Sequence, residues 1–496
     1  MPPADRISTG IAGLDTIIDG GLIPNRSYLI RGSPGTGKTM IGLHFLLAGT
    51  ENGDPEDVLC INLEESTADI TRNAVSVGLD LSPVEFLDMS PSSDLFRESQ
   101  NYSIFSPDEV DQESFADEVT ARIEEIEPSR VFIDPITRLR HLVPDEYQFR
   151  QQVISFMRFL QNMDTTVMFT SQHMVGASDD DLQFLSDGTF HLENTEHGRT
   201  ISVPKLRGSD ARRGPHSLRI RDDGVDVFPR LTIPEQAADA GLGTVQSGVP
   251  TFDELLMGGI DRGTITVISG PTGVGKTTTG AQFMKEAAGR GERSVIYMFE
   301  ETKKTFFTRA ENVNIPVTNM VEHGTLAVEE VEPLNRSAEE FAHEVRREVE
   351  ENDTKIVMID GINGYRLSLR GERERLIRKL HSLGRYLKSR GVTVILVEEV
   401  GTVASQFEAT DVDISYLSDN IIFLRYIEVD GEMKKVIGVL KKRTSDFERT
   451  MREFEISSHG IKVGEPLRNL QGILSGIPTR TDERPAHPDS TLHPGE

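Results

Sequence analysis

The stretch GSPGTGKT at residues 32–39 returns as GPTGVGKT at residues 270–277. Both fit G-x-x-x-x-G-K-[ST], and each follows an apolar, strand-sized run and precedes a helical pattern. That context fixes what the string can do. The glycines let backbone N–H groups converge on phosphate oxygens, and the helix that follows adds the positive end of its dipole. The residues set to cradle a nucleotide triphosphate such as ATP are Gly32, Ser33, Gly35, Thr36, Gly37, Lys38 and Thr39, and then Gly270, Thr272, Gly273, Val274, Gly275, Lys276, Thr277 and Thr278. Lys38 and Lys276 would reach the β- and γ-phosphates, while Thr39 and Thr277 would offer a hydroxyl to Mg²⁺.

The repetition extends beyond the loops. STGIAGLD at 8–15 aligns with QSGVPTFD at 246–253, INLEES at 61–66 with YMFEET at 297–302, and RVFIDP at 130–135 with IVMIDG at 356–361. Further on, LSDGTFHLEN at 185–194 aligns with LSDNIIFLRY at 417–426, and PKLRGSD at 204–210 with LKKRTSD at 440–446. A unit of this size is a whole domain rather than a solenoid repeat. In each copy short apolar strands alternate with amphipathic stretches, the pattern of a mainly parallel sheet flanked by helices. The expected class is α/β, with two tandem P-loop domains that resemble RecA-like domains. The expected boundaries are a first domain over 1–232, a linker over 233–245, a second domain over 246–465, and a loop with a disordered tail over 466–496.

Mg²⁺ also needs a carboxylate, which is ordinarily supplied at the end of a neighbouring apolar strand. Asp134 and Asp360 stand there. Another strand in each copy ends in paired acids, Glu64-Glu65 and Glu300-Glu301, and a carboxylate beside a γ-phosphate can orient or deprotonate the attacking oxygen. The histidines are scattered and, with a lone cysteine, offer no zinc pattern. The chain carries 53 basic and 80 acidic residues, a net charge of −27 whose field repels nucleic acid and anionic membrane. No apolar run reaches the length of a bilayer span, the start lacks a signal-peptide pattern, and a single cysteine, Cys60, rules out an internal disulfide. These features predict a cytoplasmic protein, with Cys60 as a buried small hydrophobe. The basic stretch at 370–391 reads as a helix that packs Leu376, Leu380, Leu383 and Leu387 on the sheet and solvates its charges.

These residues resemble the KaiC family of circadian-clock ATPases over roughly residues 6–480. The most specific likeness lies in DISYLSDNIIFLRYIEVDGEM, REFEISSHGI and LRNLQGILSGIPTR. The resemblance implies a homo-hexamer of two stacked rings with ATP between neighbouring subunits. Lys205 and Arg207 in the first copy, and Lys441 and Arg443 in the second, would then reach ATP bound by the adjacent chain. It implies ATP hydrolysis in both domains and serine/threonine autophosphorylation in the second, with Glu300 as base and Glu301 in support. Ser415 matches the family's serine acceptor. Tyr416 stands where the adjacent threonine belongs, and Thr410 matches another family threonine. Thr444 replaces the glycine that follows the arginine in the family pattern. The segment after SGIPTR is short and proline-rich, which argues against a KaiA-type partner, whereas a KaiB-type partner stays open. Two alternatives remain at this stage: a RecA- or DnaB-like motor driven by DNA, and an ATP-assembled scaffold without kinase activity.

Overall fold

The computed structural model describes residues 6–51, 55–93, 118–143, 145–172, 180–196, 198–232, 243–332, 336–368, 373–400, 412–468, 470–473 and 479–480. They fall into two compact units that meet in sequence at Arg230 and Leu231.

The first unit is built on nine strands: β1 (Ser27–Gly32), β2 (Val58–Asn62), β3 (Glu85–Asp88), β4 (Arg130–Asp134), β5 (Thr166–Gln172), β6 (Gly188–Thr195), β7 (Gly198–Leu206), β8 (His216–Arg221) and β9 (Gly224–Phe228). They form one sheet in the order β3-β2-β4-β5-β1-β6-β7-β8-β9. Pairing is parallel from β3 to β6 and antiparallel from β6 to β9. After the short pair β10 (Thr244–Val245) and β11 (Ile260–Asp261), the second unit repeats the plan. Its strands are β12 (Ile265–Gly270), β13 (Ser294–Met298), β14 (Leu326–Glu330), β15 (Ile356–Asp360), β16 (Thr393–Glu399), β17 (Asn420–Val429), β18 (Glu432–Lys442), β19 (Arg452–Ser457) and β20 (Gly460–Pro466). Their order, β14-β13-β15-β16-β12-β17-β18-β19-β20, is the same arrangement. These are two tandem RecA-like α/β domains.

The central strands are apolar throughout because both their faces are covered. Along β4, Phe132 faces one core, with Tyr28, Cys60 and Met168, while Val131 and Ile133 face the other, with Leu29, Leu59 and Phe169. β15 splits its residues the same way, with Ile356 and Met358 on one side and Val357 and Ile359 on the other. The helix Lys38–Thr50 covers the first of these faces and Glu146–Asn162 the second. The phosphate-loop helices come close to the sheet: a Cβ on Gly42 would lie 2.1 Å from the Phe132 ring, and one on Gly280 would lie 2.7 Å from the Met358 sulfur. That contact sets each helix N-terminus at the carboxyl end of the central strands.

Two readings of the sequence have a counterpart in the structure. Cys60 is fully buried. The basic stretch forms the helix Arg373–Ser389, with Leu380, Leu383 and Leu387 buried against the sheet. Of the loop and disordered tail expected over 466–496, residues 481–496 lie outside the described residues, as does most of the expected linker, whereas Thr479–Arg480 pairs with Leu470–Gln471.

Candidate functional site

Each phosphate loop links the carboxyl end of a central strand, β1 or β12, to the helix Lys38–Thr50 or Lys276–Gly289. Gly37 and Gly275 precede these helices with φ of 104° and 116°, a conformation that side chains resist. Neither helix start has a side-chain cap, and neither first turn carries an acid. The N–H groups of the first turn are therefore left for an anion, with no carboxylate competing.

The lysines curl back over their own loops. The Lys38 ammonium donates to the carbonyls of Gly32 and Ser33 at 2.9 and 3.2 Å, and Lys276 donates to Pro271 at 2.9 Å. Burial pulls both below the ordinary lysine range, opposed by Asp134 and Glu64 around Lys38 and by Glu399, Asp360 and Glu300 around Lys276. Thr39 Oγ1 donates to Asp134 at 2.6 Å, and Thr277 Oγ1 donates to Asp360 at 3.1 Å. Both carboxyls are pushed up by burial, Asp360 to about 6, against the opposing hydrogen bonds from those threonines. The structure thus brings together the phosphate loop, its lysine, its threonine and the strand-end aspartate in both domains.

The paired glutamates lie on the turns after β2 and β13. In the first domain Gln172, at the end of β5, donates to Glu64 at 2.5 Å, and Asn73 reaches Glu65 at 3.4 Å. Burial, with Asp134 and Glu64 adding to it, raises the Glu65 carboxyl. In the second domain Glu300 accepts from the Gly364 backbone at 3.1 Å, and Glu301 is gripped by the Arg309 guanidinium at 2.6 and 3.2 Å.

The four basic residues from the domain ends lie elsewhere. Lys205 donates to the carbonyls of Gln183 and Phe184 at 2.6 and 3.2 Å, as well as to Ser186, at the end of the helix Asp180–Leu185. Lys441 does the same for the helix Val412–Leu417, reaching Ser415 O at 2.6 Å and Ser418 O at 2.7 Å. Arg207 donates to the Phe184 carbonyl at 3.3 Å and lies 3.6 Å from Asp187. The Arg443 backbone N–H bonds Asp419 O at 3.1 Å. The register sets their distance from the loops. Lys205 pairs with Thr189, and Thr189 with Leu29, three residues before Gly32. Lys441 pairs with Ile421, and Ile421 with Val267, three residues before Gly270. At about 3.3 Å per residue and 4.8 Å per strand, each lysine starts about 14 Å from the loop of its own domain, beyond the reach of its side chain. Ser415 and Tyr416 share that end of the sheet. Tyr416 is 78% exposed, and Phe184, at the matching place in the first copy, is 68% exposed. Thr410 lies outside the described residues.

Several participants were not read from the sequence. Thr170 donates to Asp134. Arg199 and Lys435, from matching hairpins, donate to the carbonyls of Gly35 and Gly273 at 3.2 and 3.3 Å. Arg309 and Gln172 complete the glutamate turns. The signal for Arg199 and Lys435 was a base recurring in both copies. Arg309 and Gln172 differ between copies, so no repeat flagged them.

A family model described as the KaiC ATPase matches residues 7–232 and 245–468. The chain belongs to the KaiC family of ATPases. It is 28% identical to the circadian clock oscillator protein KaiC of Acaryochloris marina, with 96% of this chain and 91% of that protein covered. It is 27% identical to KaiC of Synechococcus elongatus and to KaiC 1 of Synechocystis sp., with 96% of this chain and 92% of each relative covered. ATP binding follows from membership of this family of tandem-domain ATPases. No helix among the described residues is long and apolar enough to cross a membrane.

Proposed function

We propose that this KaiC-family chain is a hexameric ATPase whose second domain also phosphorylates itself, so that one ring's nucleotide state is passed to the other. The observation that carries this reading is the strand register. Lys205 and Arg207, like Lys441 and Arg443, lie at the end of the sheet away from the phosphate loop of their own domain. Side chains so placed serve a triphosphate only when it is held by another copy of the chain, which makes assembly a condition of turnover. The exposed rings of Phe184 and Tyr416 on the same end support a subunit contact there.

Within each domain the N–H groups at the helix start and the loop lysine would hold the phosphates. A hydroxyl and a buried carboxylate in hydrogen-bond contact, Thr39 with Asp134 and Thr277 with Asp360, are a hard-oxygen pair that suits Mg²⁺. The metal would neutralise charge on the β- and γ-phosphates. Glu64 and Glu65 would orient water in the first domain. Glu300, with Glu301 in support, would accept the proton of water or of an acceptor hydroxyl in the second. Ser415 is the proposed acceptor, with Tyr416 beside it. Lys441, on β18, bonds the Ser415 carbonyl, so the cation for a neighbour's ATP is fastened to the short helix that carries the acceptor.

Size exclusion with and without Mg-ATP, followed by mass spectrometry of the chain after incubation with ATP, tests this. A hexamer with phosphate on Ser415 or Tyr416 is expected. A monomer in Mg-ATP overturns the trans arrangement, an unmodified hexamer overturns the kinase, and strong stimulation of turnover by DNA favours a motor instead.

A further inference from the structure

The two domains repeat the phosphate loop, its threonine and its aspartate, but they treat the paired glutamates differently. Asn73 and Arg309 occupy the same place on matching helices, Thr67–Val75 and Lys303–Glu311, each eight residues after the second glutamate. Asn73 makes one 3.4 Å contact with Glu65. Arg309 spends all three of its nitrogens: Nε and Nη2 on the two oxygens of Glu301 at 3.2 and 2.6 Å, and Nη1 on Thr278 Oγ1 at 3.0 Å. Its guanidinium also lies over the Phe306 ring, 5.9 Å from the centroid. Thr278 is buried in the first turn of the phosphate-loop helix, directly after Thr277, and the matching residue in the first domain is Met40, which has no hydroxyl to receive such a bond.

We infer that Arg309 is a positioning residue of the second site: it fastens Glu301 to the phosphate-loop helix at Thr278, so that the turn after β13 is rigid and offers Glu300 to the reacting oxygen. A fork on both oxygens of one carboxylate is the most directional pairing a side chain can make. It occupies both Glu301 oxygens. Glu300 is held at one oxygen by the Gly364 N–H, and its second oxygen takes no hydrogen bond from the described residues. The first site lacks the fork and the link to the loop helix, and there Gln172 holds the first glutamate of the pair instead. The two domains thus share a nucleotide cradle and differ in which glutamate is tied down. This inference rests on the reading of the second domain as a catalytic ATP site.

The test uses the full chain carrying Glu64→Gln and Glu65→Gln, which keeps the first phosphate loop and leaves turnover to the second domain. Turnover abolished by Lys276→Ala supports the underlying reading; turnover that survives Lys276→Ala overturns that reading and the role of Arg309 with it. In this background Arg309→Asn, which installs the first domain's residue, is expected to lower kcat about tenfold with KM for ATP changed less than about twofold, because the arginine acts through the turn rather than on the phosphates. Arg309→Lys keeps the charge and loses the fork, and should fall close to Arg309→Asn. Glu301→Gln should lose a similar factor, and the Arg309→Asn/Glu301→Gln double variant should be no slower than the worse single one. Losses that multiply in the double variant, a rise in KM alone, or full activity in Arg309→Lys each overturn the inference. Should Arg309→Asn fail to fold, Glu301→Gln decides alone: undiminished kcat there overturns it, and a tenfold fall at constant KM supports it.

Discussion

Asp360 is 8% exposed at the end of β15, with its carboxyl pushed up to about 6 by burial. A charge held there without a cation works against folding. The native state binds more protons than the unfolded chain between about pH 4 and pH 6, so the group lowers stability as pH rises through that window. A shift of this size corresponds to roughly 2–3 kcal/mol above pH 6. Asp360→Asn should therefore melt higher than the parent at pH 8 without nucleotide, and the gap should close as the pH falls towards 4. With Mg-ATP the order should reverse if Asp360 holds Mg²⁺ as proposed, because the variant then loses a ligand and with it the stabilisation that binding confers. Thermal scans across pH, with and without Mg-ATP, read both effects. A variant that melts lower than the parent at pH 8 without nucleotide would show that the buried charge is already compensated within the chain.

At the scale of elements, Lys205 and Lys441 hold the ends of helices only six residues long. Such helices cannot sustain themselves in water, and their last carbonyls need partners. Lys441→Met should cost about 1–2 kcal/mol locally and speed amide exchange over 412–417 even without ATP. Unchanged exchange would leave the lysine a purely trans role. What the sequence made legible follows the same division. The strands β1, β2, β4 and β5, and their partners in the second copy, were readable because burial on both faces leaves an unbroken apolar run. The phosphate loops, Thr39, Asp134 and Glu64 were readable because a motif or a strand end marks them, and the second copy repeats each mark. The lysine caps were not, since Lys441 meets a carbonyl 26 residues away only after β17 and β18 have paired. Arg309 was not, since its meaning lies in a carboxylate and a hydroxyl that sequence spacing does not bring together.

For the whole molecule, the duplication gives each copy both a phosphate loop and, at the far end of the same sheet, a pair of cations. In the proposed assembly, a loop that binds ATP at one end of a sheet and cations at the other end that would serve another copy's ATP make a head-to-tail contact, which closes into a ring only if its rotation allows. Complementation tests this directly. Chains with Arg443→Ala keep an intact second-domain loop, and chains with Glu300→Gln keep an intact cation. Each alone should lack second-domain turnover. Mixed before ATP is added, they place an intact Glu300 beside a neighbour's intact Arg443 at about a quarter of the contacts if mixing is random. Recovery of phosphate release to about that fraction of the parent's second-domain rate, in a background silenced by Glu64→Gln and Glu65→Gln, is the expected result. No recovery in mixed rings, verified by tagging the two chains differently, would mean that Arg443 serves the ATP of its own chain, and the path from register to assembly to catalysis would have to be redrawn.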